Sequence, residues 1–179
     1  MDARAYASAA FYAAQPLAAA VASERRVLDG AACGALRAVA DAEATKNRDT
    51  VDGGPDHQVG LDAARLEELL GPALAARLEA LATGGEAGTV AAFARKYEAG
   101  ARPWIPFHND AASRTVNVAL SPGEDDALLV VCGGAVTAVP RGEGDATIHD
   151  SSLLHGVRAS PRARYSLILF FRRHNETPR

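Results

Sequence analysis

With 179 residues, 48% of them hydrophobic and 23% charged, the chain is long enough to bury one globular core and too apolar to be disordered. A net charge of -3 argues against a nucleic-acid partner, which needs a concentrated basic face, and no stretch is apolar enough to span a bilayer. Only two cysteines occur, Cys33 and Cys132, so no disulfide framework is implied and a reducing, cytoplasmic setting is expected.

Residues 5–24 read as one or two alanine-rich helices, with Pro16 in the first turn of the second. Ala20-Val21-Ala22 looks like a leader cleavage site, but the run is weakly apolar and interrupted by Gln15 and Pro16, so a helix rather than a signal peptide is expected. Asp29 can cap a following helix whose apolar side holds Cys33, Leu36, Val39 and Ala40. Residues 46–60 are polar and turn-rich around Asp52-Gly53-Gly54-Pro55-Asp56, which predicts a loop, a candidate lid, carrying a solvated His57. Leu61, Leu66, Leu69, Leu70, Leu74, Leu78 and Leu81 then recur at helical spacing, with a bend expected at Gly71-Pro72.

After Gly84-Gly85 the period shifts toward that of strands. Residues 89–97, 115–120, 127–131, 135–139, 146–148 and 165–171 are short apolar runs separated by Gly/Pro turns, the pattern of an antiparallel sandwich or jelly roll. His108 and Asp110, one residue apart on an extended segment, project to one side, so two metal ligands can come from one strand end. His155 would complete two imidazoles and a carboxylate on one face of an iron, leaving the other face open. His149, in Ile148-His149-Asp150, is the competing imidazole for that third place.

These motifs resemble the iron(II)- and 2-oxoglutarate-dependent dioxygenases, in particular their prolyl 4-hydroxylase-like branch. The residues that carry the resemblance are Lys96-Tyr97-Glu98-Ala99-Gly100, His108-Asn109-Asp110, Gly144-Asp145-Ala146-Thr147-Ile148, Leu154-His155-Gly156-Val157 and Arg164-Tyr165-Ser166, in that order. The resemblance implies a mostly β, α+β chain: a double-stranded β-helix core at about 86–173 behind supporting helices at about 1–85, all in a single domain over residues 1–179. It also implies iron(II) on His108, Asp110 and His155, with 2-oxoglutarate and O2 as cosubstrates. Arg164 would hold the distal carboxylate of 2-oxoglutarate through two parallel hydrogen bonds, Ser166 would add a hydroxyl from the same strand face, and Tyr97 would point into the cofactor pocket or pack in the core. Relatives nearest the animal oxygen-sensing hydroxylases carry a tyrosine on the strand after the metal motif; here Thr115 and Asn117 are the polar residues available instead.

Within the resemblance, whose halogenating members lack the carboxylate, Asp110 implies hydroxylation over halogenation and leaves desaturation and ring closure open. Arg102 and Trp104, just before the metal motif, are candidate substrate contacts, with surface solvation and core packing as their ordinary alternatives. A compact chain without an appended peptide-binding domain points to a small-molecule substrate, an amino acid or natural-product intermediate, while the branch resemblance points to a prolyl or other peptide residue. A noncatalytic jelly-roll binding module is the reading from a different class.

Overall fold

In the computed structural model, which describes residues 3–43, 51–125 and 127–174, the alanine-rich start folds as α1 (Ala3–Ala14) and α2 (Leu17–Ala20). Pro16 is the N-cap of α2, one position earlier than expected, because a residue without a backbone N–H is tolerated where the helix has no carbonyl to offer it. The next segment departs from the helical expectation: Ala22–Glu24 is a short strand, β1. Its hydrogen bonds go to another strand rather than along its own chain, a pairing invisible to local periodicity.

Helix α3 (Gly30–Ala42) starts where Asp29 accepts a hydrogen bond from the Ala32 N–H at 2.8 Å. It buries Cys33, Leu36 and Ala40. After strand β2 (Gln58–Leu61), the leucine-rich segment forms α4 (Ala63–Leu70), capped by Asp62, and α5 (Pro72–Thr83), with the break at Gly71-Pro72 as expected. Leu61 belongs to β2 rather than to the helix. The remaining strands are β3 (Gly88–Tyr97), β4 (Ile105–His108), β5 (Arg114–Ala119), β6 (Glu124–Asp125), β7 (Leu128–Cys132), β8 (Ala135–Ala138), β9 (Arg141–Gly142), β10 (Ala146–Asp150), β11 (His155–Val157) and β12 (Arg164–Arg173).

A six-stranded antiparallel sheet in the order β1-β10-β5-β12-β3-β2 faces a four-stranded sheet in the order β4-β11-β7-β8, with β6-β9 a separate pair. The chain alternates between the two large sheets, from β3 to β4, β5, β7 and β8, β10, β11 and β12, which is the path of a double-stranded β-helix. Two strands of the larger sheet, β1 and β2, come from the helical front, so the division near residue 85 does not separate helices from sheet.

Alternation along the strands gives the larger sheet two chemically different faces. Val116, Val118, Leu167, Leu169 and Phe171 pack outward with Leu36 and Leu78 into the main core, where each fully buried leucine contributes about 1.5–3 kcal/mol. Their neighbours Thr115, Asn117, Ile168, Phe170 and Arg172 point the other way, toward the cavity between the sheets. Behind this arrangement stands Gly144, whose positive φ of 80° and close approach to the Leu28 carbonyl exclude a side chain: a Cβ there would lie 1.9 Å from that oxygen. Both cysteines are free and buried, and burial pushes the Cys33 thiol up to about 11. No helix among the described residues is long and apolar enough to cross a membrane.

Candidate metal centre

His108 ends β4 and His155 begins β11, and the two are register partners across the antiparallel pair. Their rings lie 4.4 Å apart between centroids. Gly156 keeps this pair close, since a Cβ there would press within 3.1 Å of the Ile105 carbonyl and 3.2 Å of the Phe107 nitrogen.

Asp110 reaches the same spot differently from the sequence expectation. It lies beyond the end of β4, in the crossover to β5, so strand alternation does not place it. Its backbone N–H donates to the Ser151 carbonyl at 3.0 Å, tying this crossover to the one between β10 and β11. The Thr115 hydroxyl donates to its carboxylate at 2.5 Å. The two crossovers between sheets thus bring His108, Asp110 and His155 together although 47 residues separate the first from the last.

The donor atoms of the three residues all lie within 4.8 Å of one another. Asp110 carboxylate oxygens stand 3.3 Å from His108 Nε2 and 3.4 Å from His155 Nε2. A first-row divalent ion about 2.1 Å from each donor would set neighbouring donors about 3 Å apart; the two carboxylate–imidazole separations are near that spacing, and the widest donor separation, 4.8 Å, would close on binding. Each imidazole is oriented by a backbone carbonyl: His108 Nδ1 meets Pro106 O at 2.8 Å and His155 Nδ1 meets Leu153 O at 3.0 Å. A carbonyl can only accept, so Nδ1 carries the proton and the Nε2 lone pair faces the cluster.

The electrostatics agree with that donor set. Burial pushes His155 down to about 4, against the pull of Asp110, so its ring is neutral at physiological pH. Burial raises the Asp110 carboxyl, but His155 and His108 outweigh it and hold the group below the usual carboxylate range. A neutral imidazole at His155 and an ionised carboxylate at Asp110 are the forms in which such residues bind a metal.

His149 stands just behind, with its ring centroid 4.8 Å from that of His155. Its Nδ1 is engaged with the Asp150 carbonyl at 3.0 Å, and its buried Nε2 has no hydrogen-bond partner among the described residues. It is outside the three-residue cluster.

A cavity of about 620 Å³ opens in front of the cluster, walled by Phe93, Tyr97, Ile105, Phe107, Ile168 and Phe170. Asn117 lines it too and accepts from Arg141 at 2.7 Å, while Thr115 is committed to Asp110. Arg164 is buried but not on the cavity lining. Its guanidinium lies 4.7 Å from the centroid of the Tyr97 ring, which does line the cavity, and Nη2 donates to Ser166 Oγ at 3.4 Å. Arg164 borders a second depression of about 520 Å³ at the Ser121-Pro122 and 158–163 turns.

Neither candidate substrate residue lines the cavity. Arg102 is buried against Asp52 at 2.8 Å, and Trp104 is 47% exposed outside it. Arg102 instead fastens the loop at residues 51–57, which Arg95 fastens a second time through Asp56 at 3.1 Å and Gln58 at 2.8 Å. Residues 46–50, the first third of the candidate lid, lie outside the described residues; Val51 reaches the cavity. His57 is no solvated loop histidine, since its Nε2 meets the Ala40 carbonyl at 2.7 Å.

Sequence reasoning missed Arg95, Thr115's bond to Asp110, and Arg172 on the cavity rim. Alternation along β3, β5 and β12 was the available signal for all three, but it does not say which face is the cavity.

No family model matches the chain, and no curated protein matches it in sequence. Solved structures do match its fold. A Pseudomonas putida prolyl-4-hydroxylase is 21% identical with a TM-score of 0.63, the match covering 89% of this chain and 96% of that one. The non-heme alpha-ketoglutarate-dependent carbocyclase SnoK from nogalamycin biosynthesis is 17% identical with a TM-score of 0.62, covering 100% of this chain and 87% of that one. EvdO2 from Micromonospora carbonacea var. aurantiaca, complexed with 2-oxoglutarate, is 16% identical with a TM-score of 0.62, covering 96% and 90%. The double-stranded β-helix is therefore the fold of this chain.

Proposed function

We propose that the protein is an iron(II)- and 2-oxoglutarate-dependent oxygenase that hydroxylates an unactivated C–H bond of a small molecule. The observation that carries this reading is the His108, Asp110 and His155 cluster, with ionised carboxylate and inward Nε2 lone pairs, at the mouth of a double-stranded β-helix cavity. Solved structures of the same fold are described as a prolyl-4-hydroxylase, an alpha-ketoglutarate-dependent carbocyclase and a complex with 2-oxoglutarate.

His108, Asp110 and His155 would hold iron(II) by one face and leave the opposite face for 2-oxoglutarate and O2. The bound iron supplies the oxidising chemistry, in which 2-oxoglutarate and O2 become succinate and carbon dioxide while one oxygen atom enters the substrate. The protein's own part is orientation and exclusion of water. Carbonyls of Pro106 and Leu153 fix the two imidazoles, and Thr115 fixes the carboxylate. Arg164 and Ser166 would meet the distal carboxylate of 2-oxoglutarate once the Tyr97 ring, which packs on the guanidinium and itself lines the cavity, turns aside. The apolar wall formed by Phe93, Phe170 and Ile168 shields the metal-facing space.

A small molecule fits better than a peptide. The cavity is of small-ligand size. The 51–57 loop that borders it is held in place by two aspartate–arginine pairs. Anaerobic addition of iron(II) and 2-oxoglutarate should give a weak visible charge-transfer band, and aerobic incubation with an amino-acid and natural-product panel should release succinate with a product heavier by one oxygen. No band together with no succinate would overturn the oxygenase reading in favour of a noncatalytic binding module.

A further inference from the structure

Among the described residues, one cation of the cavity rim has no carboxylate partner. Ile168, Phe170 and Arg172 succeed one another along the inward face of β12 and all line the cavity. Arginines near this rim and on the strands beside it are matched with carboxylates: Arg95 with Asp56, Arg102 with Asp52, and both Arg114 and Arg173 with Glu86. Arg172 is different. Its Nε donates to the Ala111 carbonyl at 2.8 Å, and no carboxylate among the described residues pairs with it. That hydrogen bond uses the inner edge of the guanidinium and leaves both Nη groups to ligands.

The position of the bond sets where such a ligand would sit. Ala111 directly follows Asp110 and also lines the cavity, so Arg172 is fastened one residue from a member of the metal cluster, about 3.8 Å along the backbone. Beside it Phe170 packs edge-on against Phe93 at 5.2 Å between centroids, and Phe107, 41% exposed, forms the opposite lip. A cation bordered by aromatic walls suits an organic anion with an apolar body.

From this we infer that the substrate is a small carboxylic acid with an apolar body, its carboxylate on Arg172 and its body along Phe170 and Phe93, so that the oxidised C–H bond lies only a few bonds from the carboxylate. The inference rests on the oxygenase reading for the last clause alone; the acid preference of the rim stands without it.

The test uses the full chain and a defined pair of probes, 3-phenylpropionate and its uncharged amide, titrated calorimetrically into protein loaded with manganese(II) and 2-oxoglutarate, and again into metal-free protein. The acid should bind about fivefold more tightly than the amide, the size of an exposed charge pair, and added salt should narrow the gap. Arg172→Gln should abolish the difference, Arg172→Lys should keep part of it, and Arg173→Gln, which faces Glu86, should leave it intact. Equal binding of acid and amide, no binding of either, or an Arg172→Gln protein that still prefers the acid would each overturn the proposal. Failure of the oxygenase reading looks different: the charge-transfer band is missing while the acid preference of the metal-free protein persists.

Discussion

Replacing Asp110 with asparagine isolates the metal role of this residue from its structural one. Asparagine has nearly the same shape and retains a carbonyl for the Thr115 hydroxyl, and its backbone N–H still reaches Ser151. What disappears is the negative charge that sits 3.3 and 3.4 Å from the two imidazoles. For the unaltered protein, a divalent ion at a hundred times its dissociation constant adds about 2.7 kcal/mol to stability. At about 2–4 °C per kcal/mol for a chain of this size, the melting temperature should rise by about 5–11 °C over a chelator reference. A hundredfold loss of affinity in Asp110→Asn leaves about 0.4 kcal/mol of that at the same concentration, a shift of about 1 °C. The assay is thermal unfolding with manganese(II) against EDTA, each variant compared with its own metal-free state. A full metal-dependent rise in Asp110→Asn would refute the assignment of Asp110 as a ligand.

Two further outcomes follow from the buried imidazoles. His155→Ala should lose the metal-dependent rise, whereas His149→Phe should keep it and melt close to the unaltered protein when metal-free, because removing the partnerless buried Nε2 recovers about what losing the Nδ1 hydrogen bond to the Asp150 carbonyl costs; the reverse pattern would make His149 the ligand. In the metal-free protein burial holds His155 at about 4 against an ordinary histidine value of 6.5, so the unfolded chain takes up the proton first as pH falls. Stability should therefore be fully present above about pH 6.5 and decline by about 3 kcal/mol toward pH 4, with the lowered His149 adding in the same direction. Urea midpoints of EDTA-treated protein measured across that range check this, and a flat profile would contradict it.

Local chemistry explains which features were legible without coordinates. Asp29 and Asp62 are side-chain caps that act within three residues, and Gly71-Pro72 breaks a helix wherever it occurs, so α3, α4 and α5 could be read directly. Their leucine period likewise anticipated the core. β1 could not be read this way, because Ala22-Ser23-Glu24 has no strand character of its own and is extended only by its hydrogen bonds to Ala146–Ile148 of β10.

The candidate site divides along the same line. The spacing of His108 and Asp110, with His155 beyond, suffices to propose a metal, because donor chemistry belongs to the residues themselves, while the cosubstrate was implied by the resemblance that Arg164 helps to carry. Their convergence belongs to the fold: Asp110 is placed by a hydrogen bond between crossovers, and His155 is aimed by the carbonyl of Leu153. Tertiary contacts also separate arginines that look alike in sequence, fastening Arg102 to a loop, seating Arg164 behind Tyr97 and leaving Arg172 on the rim. The sequence by itself thus determined which donor groups the chain carries and much of the scaffold that holds them. Which side chains face the cavity, and with what charge still to offer, was decided only when distant strands paired, since burial and ion pairing are properties of neighbours in space.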